Sequence, residues 1–591
     1  MIREQLKRLI TQAILDAQAA GDLPPFELPA FSVDHPRQAQ MADYAASVAM
    51  QLARVARLPP PQIAQRIAKY LALDGAASVE VASAYLNFRL TPAYLTAQVD
   101  AILKAGQRWG NIDIGTGQSV QVEYGSANPT GPLTAAAGRN VIIGDTIANA
   151  LDAACFQVQR EWYVNDAGNQ IRHFGASVYA RYAQALGVDE PFPEDGYKGD
   201  YIAEIARGII EREGDHYLKL PKDEARKALG KIGIDTMMDS VRASLERVGA
   251  HYDNFFSERS LYESGEFERV LPILREKGLL VEHDDALWFS EDGSPIGDSA
   301  QPIADLDDEA KSKLQNQKSK IVQAVVIRSP KVIPNPSERP TYLASDIAYV
   351  WNKLVLRGFT RAIYVWGEDH QGDVPRLLAI THALGLDTQR IVLLIYRFIT
   401  LLRNGQEVRM GKRAGNIITL DDVVDEVGAD TTRFVLLSRS IDTKIVFDLD
   451  LVKKQSDENP VYYVQYAHAR ICSILRKALE ENGDSRLEIG ASHMEGSVAD
   501  YQFQHPSELA LIRKLLELEE VVEQVATQLQ PHHFTTYAQS LAATFSAFYR
   551  DCHVLGEAPE VTAARLKLVQ ASKVTLARTL VLMGMSAPER M

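Results

Sequence analysis

Residues 120–151, VQVEYGSANPTGPLTAAAGRNVIIGDTIANAL, constrain the fold of this chain more than any other stretch. Val120, Val122 and Tyr124 alternate with polar residues, the period of two that a strand requires. Ser126, Asn128, Pro129, Gly131 and Pro132 then crowd into a turn. Beyond the turn, Ile142, Ile143, Ile147, Ala150 and Leu151 recur at helical spacing. A strand, a turn rich in Gly and Pro, and a helix make the opening βα unit of a nucleotide-binding α/β domain. The helix N-terminus there offers backbone N–H groups and a positive dipole end to phosphate. The turn contains neither GxGxxG nor the GxxxxGK of a P-loop, so it indicates neither dinucleotide binding nor a Walker-type NTPase.

At 591 residues the chain is too long for one core, and three or four domains are expected. A composition of 46% hydrophobic and 24% charged residues is ordinary for a globular protein. Cys155, Cys472 and Cys552 are widely separated, with no CxxC pair. That pattern gives no zinc-finger spacing and no disulfide framework, and it suits a reduced, cytoplasmic protein. None of the thirteen histidines lies in a metal-ligand pattern, so no protein-bound metal is expected. The N-terminal segment MIREQLKRLITQAI is amphipathic rather than continuously apolar, unlike a signal peptide. No run approaches the roughly 20 apolar residues of a membrane span. The net charge of −14 weakens a nucleic-acid partner only slightly, because phosphate contacts need local basic surfaces rather than a basic whole.

Residues 1–115 read as a separate α/β module. Helical patterns cover Leu6–Ala17 and Ala39–Leu58, and Val79–Leu90 alternates like one strand. The region 116–454 follows as the α/β core, with a charged, mostly helical insertion around 185–290. Val158–Val164 and Ala362–Val365 read as further strands, and Thr419 as the N-cap of a helix. From 455 to 591 the chain is helical. Leu511, Leu515, Leu518, Val522, Val525 and Leu529 form one apolar stripe, and Tyr537, Leu541, Phe545 and Phe548 another. The last helix starts near Thr562 and ends at Gly584, a natural C′ residue.

The word SANPTGPL (126–133) resembles the first signature of class I aminoacyl-tRNA synthetases, and specifically the arginyl-tRNA synthetase family. The likeness extends through Asn165–Gln170, the FSER ending at Arg259, YLASD (342–346), RMGK (409–412) and NPVYYVQYAHAR (459–470) to the C-terminal SAPERM. It implies an α/β, Rossmann-type catalytic domain of the class I kind. It also implies an N-terminal domain that contacts the tRNA elbow and a C-terminal helical domain that reads the anticodon. The implied activity is ATP-dependent attachment of L-arginine to its tRNA through arginyl-adenylate, by a cytoplasmic monomer with no membrane contact. Magnesium would arrive with ATP, held by its phosphates and water.

Three departures from the family pattern concentrate attention on the ATP site. Pro-Leu is followed in that family by His-x-Gly-His, whereas here Thr134, Ala135, Ala136 and Ala137 stand in those places. The family's Ala-Asp-His-His reads Glu368-Asp369-His370-Gln371, and Val350 replaces a histidine in SDIAYH. The alternative to an enzyme is therefore a non-catalytic paralogue that binds tRNA or arginine as a regulator. In-line attack on the α-phosphate needs positioning and charge neutralisation rather than a protein nucleophile. With the histidines absent, Thr134, Arg139, Arg409 and Lys412 are expected to share the phosphate load. The resemblance places ATP on Pro129, Thr130, Gly131, Pro132, Leu133, Thr134 and Gly138, with Met410 and Lys412 from the second signature. It implies an arginine pocket of Asn128, Glu258, Tyr342, Asp346 and Asp369, since a guanidinium calls for carboxylates and aromatic faces. Tyr463, Gln465, Tyr466, His468 and Arg470 are the expected tRNA contacts.

Overall fold

The protein was analysed as a computed structural model that describes residues 1–36, 42–283, 286–293, 323–327, 341–408, 418–454, 459–482 and 501–591. Its first region packs helices Ile2–Ala19 (α1), Val48–Ala56 (α2) and Pro60–Lys69 (α3) against four short strands. These strands are Val33–Asp34 (β1), Tyr44–Ala46 (β2), Ala77–Ala82 (β3) and Tyr85–Leu90 (β4), in the order β1-β2-β4-β3, all antiparallel. Two sequence expectations are corrected here. The alternation over Val79–Leu90 belongs to a hairpin, because Ser83 adopts a left-handed φ of +57° and turns the chain. Its turn carries neither Gly nor Pro, so periodicity alone ran the two strands together. Among the described residues of Ala39–Leu58 the helix covers Val48–Ala56, and Tyr44–Ala46 pairs with β4 as a strand. Helix α4 (Pro92–Ala105), capped by Thr91, leads out of this region.

The catalytic-type region is built on five parallel strands. They are β5 (Ser119–Glu123), β6 (Gln157–Val164), β7 (Asn254–Ser257), β11 (Arg361–Gly367) and β12 (Ile391–Tyr396). Their order is β12-β11-β5-β6-β7, so the chain leaves β5 toward one edge and later returns to its other side at β11. A crevice opens at such a switch point, outside the carboxyl ends of the strands. Helix α5 (Ala135–Ala153) follows β5 and is buried along nearly its whole length, which explains its unusually apolar and small residues. Gly144 lets it lie directly on the sheet, because a Cβ there would meet Tyr124 at 2.2 Å. Helices α6 (Asn169–Ala185), α7 (Asp200–Glu213) and α8 (Lys222–Arg247) fill a second core beside it. Helices α9 (Ser260–Glu263) and α10 (Glu266–Glu276) then precede a small antiparallel sheet of β8 (Leu280–His283), β9 (Ala286–Ser290) and β10 (Gln323–Ile327). Helix α11 (Tyr342–Trp351) runs on into a short π-helical stretch, Asn352–Leu356, ahead of β11.

After β12, strands β13 (Ile399–Arg403), β14 (Gln406–Glu407) and β15 (Ile445–Asp448) form a third small sheet. Helices α12 (Leu420–Val427) and α13 (Ala429–Leu437) lie between them in sequence. The C-terminal region consists of α14 (Pro460–Asn482), α15 (Pro506–Leu516), α16 (Leu518–Gln528), α17 (His532–Asp551) and α18 (Pro559–Leu582). The expected stripe from Leu511 to Leu529 is buried throughout but breaks at Glu517 into two helices. Gly584 follows the last helix with φ +70°, as its C′ position required.

One continuous apolar core joins the N-terminal region, α5 and the helical C-terminal region. Polar contacts lock the same seam: the Met1 ammonium meets Glu519, Arg513 meets Asp43, and the Trp109 indole donates to Leu515 O. Arg433 is the most deeply placed of these connectors, fully buried with its ion-pair partner Asp145. It donates to Asp145 Oδ2 on α5, to Val248 O at 2.8 Å, and to Met583 O at the end of α18. Gly584 is glycine for the same reason, since a Cβ there would lie 2.3 Å from the Arg433 guanidinium.

Candidate active site

The turn after β5 is shaped by one side chain on α5. Asn140 accepts from Gly125 N–H at 2.7 Å and donates to Val365 O on β11 at 2.8 Å. It also hydrogen-bonds the Tyr396 hydroxyl at the end of β12. Asn140 therefore gathers the carboxyl ends of three adjacent strands around the start of one helix. Nothing in the periodicity singled it out, because a lone Asn inside an apolar helix reads equally as an exposed polar residue. Gly125 has φ +77° and its backbone lies so close to Trp162 that a Cβ would meet the indole at 2.3 Å.

The start of α5 is capped by Thr134, whose hydroxyl accepts from Ala137 N–H at 3.2 Å. Thr134 also bridges to Thr419, and Ala135 N–H donates to Ile418 O at 3.1 Å while Leu420 N–H donates to Leu133 O at 2.8 Å. Two of the amides that a helix N-terminus presents to phosphate are thus already used, and the Thr134 hydroxyl keeps only its own proton to donate. Thr419 caps α12 in a complete capping box with Asp422. Gly138 sits where α5 crosses α12, and a Cβ there would meet Leu420 at 2.6 Å, so its small size serves packing. In the turn itself, Thr130 O accepts from the Tyr201 hydroxyl at 2.8 Å, and Gly131 lies under the same ring. Pro129 and Leu133 are buried, and Pro132 is part-exposed beside them.

Arg139 is a correction. The sequence reading set it among the phosphate-binding cations, but its side chain is fully buried. Its guanidinium donates to the carbonyls of Arg397, Ser440 (3.0 Å) and Thr443 (2.9 Å), and burial draws it down to about 10. It is directed into the seam between α5 and the chain after β12. Arg409, Met410 and Lys412 lie outside the described residues.

The expected arginine pocket is largely one cluster. Glu258, 3% exposed, follows β7 and accepts from Ser345 Oγ on α11 through one oxygen. Its other oxygen accepts from the Asn165 amide at 2.8 Å, and Asn165 in turn lies 3.1 Å from the Asn128 side chain. Tyr163 contributes a further hydrogen bond to the carboxylate. Asp166 fixes the segment, accepting from Ser257 Oγ at 2.7 Å and Arg259 N–H at 3.0 Å. Burial pushes Glu258 up to about 7, against the Ser345 hydrogen bond and helped by the nearby charge of Asp346. Asp346 is part-exposed and pairs with Arg376 at 3.2 Å. Burial nonetheless lifts it to about 6, with Arg376 opposing. Tyr342 begins α11, the helix that carries Ser345 and Asp346. Asp369 stands apart: it is 61% exposed just beyond β11, 3.9 Å from His370. The sequence reading missed Tyr163, Asn165 and Ser345 as pocket members, although the last two lie inside the words NDAGNQ and YLASD.

In the C-terminal region, Tyr466 is 43% exposed and stacks on Tyr462 with ring centres 5.8 Å apart. Arg470 lies over the Tyr549 ring at 4.7 Å and remains exposed. Gln465 donates to Asp430 at 2.7 Å and lines a cavity of about 320 Å³ with Lys453, Asn459, Tyr462 and the C-terminal Met591. Tyr463 packs against the core. His468 is a second correction: it is buried and its Nδ1 bonds Pro588 O at 2.9 Å, so it anchors the C-terminal tail and presents no face to a base.

Comparison with known proteins gives the family. Residues 98–301 match the family described as tRNA synthetases class I (R), catalytic domain. Residues 4–90 match the arginyl tRNA synthetase N terminal domain, and residues 464–591 the DALR anticodon binding domain. The parallel sheet with its βα turn is accordingly that of a class I aminoacyl-tRNA synthetase, a class that uses ATP. Among its relatives, the arginine–tRNA ligase of Dehalococcoides mccartyi strain CBDB1 is 42% identical over 584 residues, 98% of either chain. That of Heliobacterium modesticaldum is 42% identical over 596 residues, covering 100% of this chain and 99% of the relative. The structure of Thermus thermophilus arginyl-tRNA synthetase, at 23% identity, shares the fold over 100% of both chains with a TM-score of 0.70. The chain belongs to the arginyl-tRNA synthetase family and is an arginine–tRNA ligase.

Proposed function

We propose that this chain charges its tRNA in two steps at the crevice between β5 and β11, with the substrate guanidinium held by Glu258 and Asp346. An arginine carboxylate oxygen attacks the α-phosphorus of ATP, the bond to the β-phosphate breaks, and pyrophosphate leaves. A terminal ribose hydroxyl of the tRNA then attacks the acyl carbon, and AMP leaves. The observation that carries the reading is Glu258, a carboxylate 3% exposed that is hydrogen-bonded by Ser345 and Asn165 beside Asn128, with Asp346 close by. A buried acid without a counter-ion is costly, and a bound guanidinium supplies one.

Phosphate charge is met in this reading by the start of α5, the Thr134 hydroxyl and the segment carrying Arg409 and Lys412. Support for that segment comes from chain continuity. Ile418 is stitched to Ala135, and Lys412 stands six residues before it, a reach of at most about 20 Å. Magnesium comes with the nucleotide in this reading, held on its phosphates and water. The tRNA lies on Tyr462, Tyr466 and Arg470 at one end and on residues 1–115 at the other, with aromatic faces for bases and cations for phosphate. No helix among the described residues is long and apolar enough to cross a membrane, and the protein acts as a cytoplasmic monomer in this reading. Purified full-length protein with ATP, magnesium, arginine tRNA and labelled arginine tests it. Labelled tRNA is the expected product; no labelled tRNA, with tRNA binding intact, refutes the catalytic reading.

A further inference from the structure

The carboxyl edge of the parallel sheet carries a guanidinium that the sequence reading never singled out. Gly367 of β11 pairs with Tyr396 of β12 in the last register of the sheet, and the next residue on each strand is charged: Glu368 and Arg397. Arg397 Nη1 lies 2.7 Å from Glu368 Oε2, and the other Glu368 oxygen accepts from Phe398 N–H at 3.0 Å. The Arg397 backbone is held on both sides. Its N–H donates to Ile441 O at 2.9 Å, and its carbonyl accepts from the buried Arg139. The side chain itself is 46% exposed, against 18% for Glu368.

Four features separate this pair from an ordinary surface salt bridge. The backbone is fixed through Arg139, which comes from α5, the helix whose start closes the candidate ATP site. Tyr396, the neighbouring residue, is tied to Asn140 of the same helix. Glu368 also faces Lys444, so the local sum of these three charges is positive. Finally, Glu368 engages only Nη1, leaving the opposite edge of a planar donor fork without a partner among the described residues. Three other cations of this edge are committed elsewhere: Arg139 to carbonyls, Arg376 to Asp346 and Asp373, and Lys353 to Glu123, while Lys444 stays exposed beside Glu368. Nearby carboxylates are Asp369, which lies beside His370, and Asp442, which is exposed on the loop that Arg139 anchors.

We propose that Arg397 is a nucleotide-facing residue of the adenylation site, presented by Glu368 and a pinned backbone so that its free edge meets the polyphosphate of ATP. The inference rests on the adenylation reading above and adds a phosphate contact to it. A preset guanidinium loses little freedom when it binds, and its charge acts where pyrophosphate develops as leaving group. It would carry part of the load that Thr134–Ala137 cannot, since those four side chains hold no charge.

The test uses the full-length protein with Arg397→Ala and Arg397→Lys. Calorimetric titration with magnesium ATP is combined with aminoacylation kinetics in which ATP and arginine are varied separately. Arg397→Ala is expected to weaken ATP binding and to lower kcat/KM for ATP by about ten-fold or more, with arginine affinity and Tm unchanged. Arg397→Lys, which keeps the charge and loses the fork, should recover part of that loss. ATP affinity within two-fold of the unmutated protein overturns the proposal. So does a parallel fall in arginine affinity and Tm, which would mark Arg397 as a structural strut. If the unmutated protein binds ATP yet charges no tRNA, the functional reading fails and the titrations still decide Arg397. If it binds no ATP, both fall.

Discussion

Arginine binding should release protons, by an amount set by two carboxyls. Glu258 stands at about 7 in the arginine-free protein because it is buried, and Asp346 at about 6 because burial outweighs its pairing with Arg376. A bound guanidinium requires both ionised and draws both far below these values. At pH 8 about 0.1 proton should leave on binding, at pH 7 about 0.6, and at pH 6 about 1.4. The same fractions make the arginine Kd about 20-fold larger at pH 6 than at pH 8, with the pair titrating as a unit. Calorimetric titration with L-arginine in buffers of different ionisation heat reads both quantities directly. Asp346→Asn should cost roughly 1–3 kcal/mol of arginine affinity, from loss of a charged hydrogen bond. Glu258→Gln should cut the proton release at pH 7 from about 0.6 to about 0.1, the share of Asp346. A Kd constant within two-fold from pH 6 to 8 would refute the assignment of these acids to the substrate guanidinium.

The sign of the stability effect follows from the same values. Above pH 7 Glu258 is ionised in both the folded and unfolded chain, and the folded state bears the whole cost of its burial, about 3 kcal/mol. As pH falls through 7 the folded carboxyl takes up a proton that the unfolded one, near 4.5, does not, and the cost is relieved. This contribution makes the arginine-free protein more heat-stable at pH 6 than at pH 8. Arginine should therefore raise Tm more at pH 8 than at pH 6.

Three other changes probe separate parts of the molecule. Asp145→Ala leaves Arg433 buried without its counter-ion and should destabilise the protein by about 3–5 kcal/mol, read as a lowered denaturation midpoint; an unshifted midpoint would show the pair to be dispensable. Tyr466→Ala removes an exposed ring stacked on Tyr462 and should weaken tRNA binding by about 1–3 kcal/mol without altering arginine binding; filter-binding titrations would expose an unchanged affinity. Lys412→Ala should lower the aminoacylation rate by about 10²-fold or more if this residue carries phosphate charge in the transition state; single-turnover kinetics with tRNA present measures it.

Where the sequence was legible, the signal was local and repeated. The βα unit at Val120–Leu151 combined a period of two, a Gly/Pro turn and a period of 3.6, and each corresponds to an element of the structure. The cap at Thr419 was equally readable, because a hydroxyl residue before an apolar run with an acid three places on satisfies its own orphan amides. The arginine-pocket acids could be named from short words, yet the network around Glu258 could not. Asn165, Ser345 and Tyr163 reach it from three different elements, and no spacing within one segment reports that convergence.

Arg139 and His468 failed for the opposite reason. Arg139 was read by residue type, and His468 from the family resemblance, as ligand-facing, and each is buried because it satisfies carbonyls of a distant segment. Those carbonyls lie 258, 301 and 304 residues from Arg139 and 120 from His468 along the chain. A buried guanidinium is tolerated only where such acceptors converge, and their convergence is a property of the folded sheet edge and the docked C-terminal tail. The same docking bears on how the C-terminal region can be tested. Its helices share one apolar core with residues 1–115 and hold the end of α18 on Arg433. A chain cut near Val452 would expose that core and strand Arg433, so its loss of tRNA affinity would report unfolding as much as a missing anticodon surface. Point changes at exposed rings, Tyr466 first among them, isolate the recognition surface from the fold that carries it.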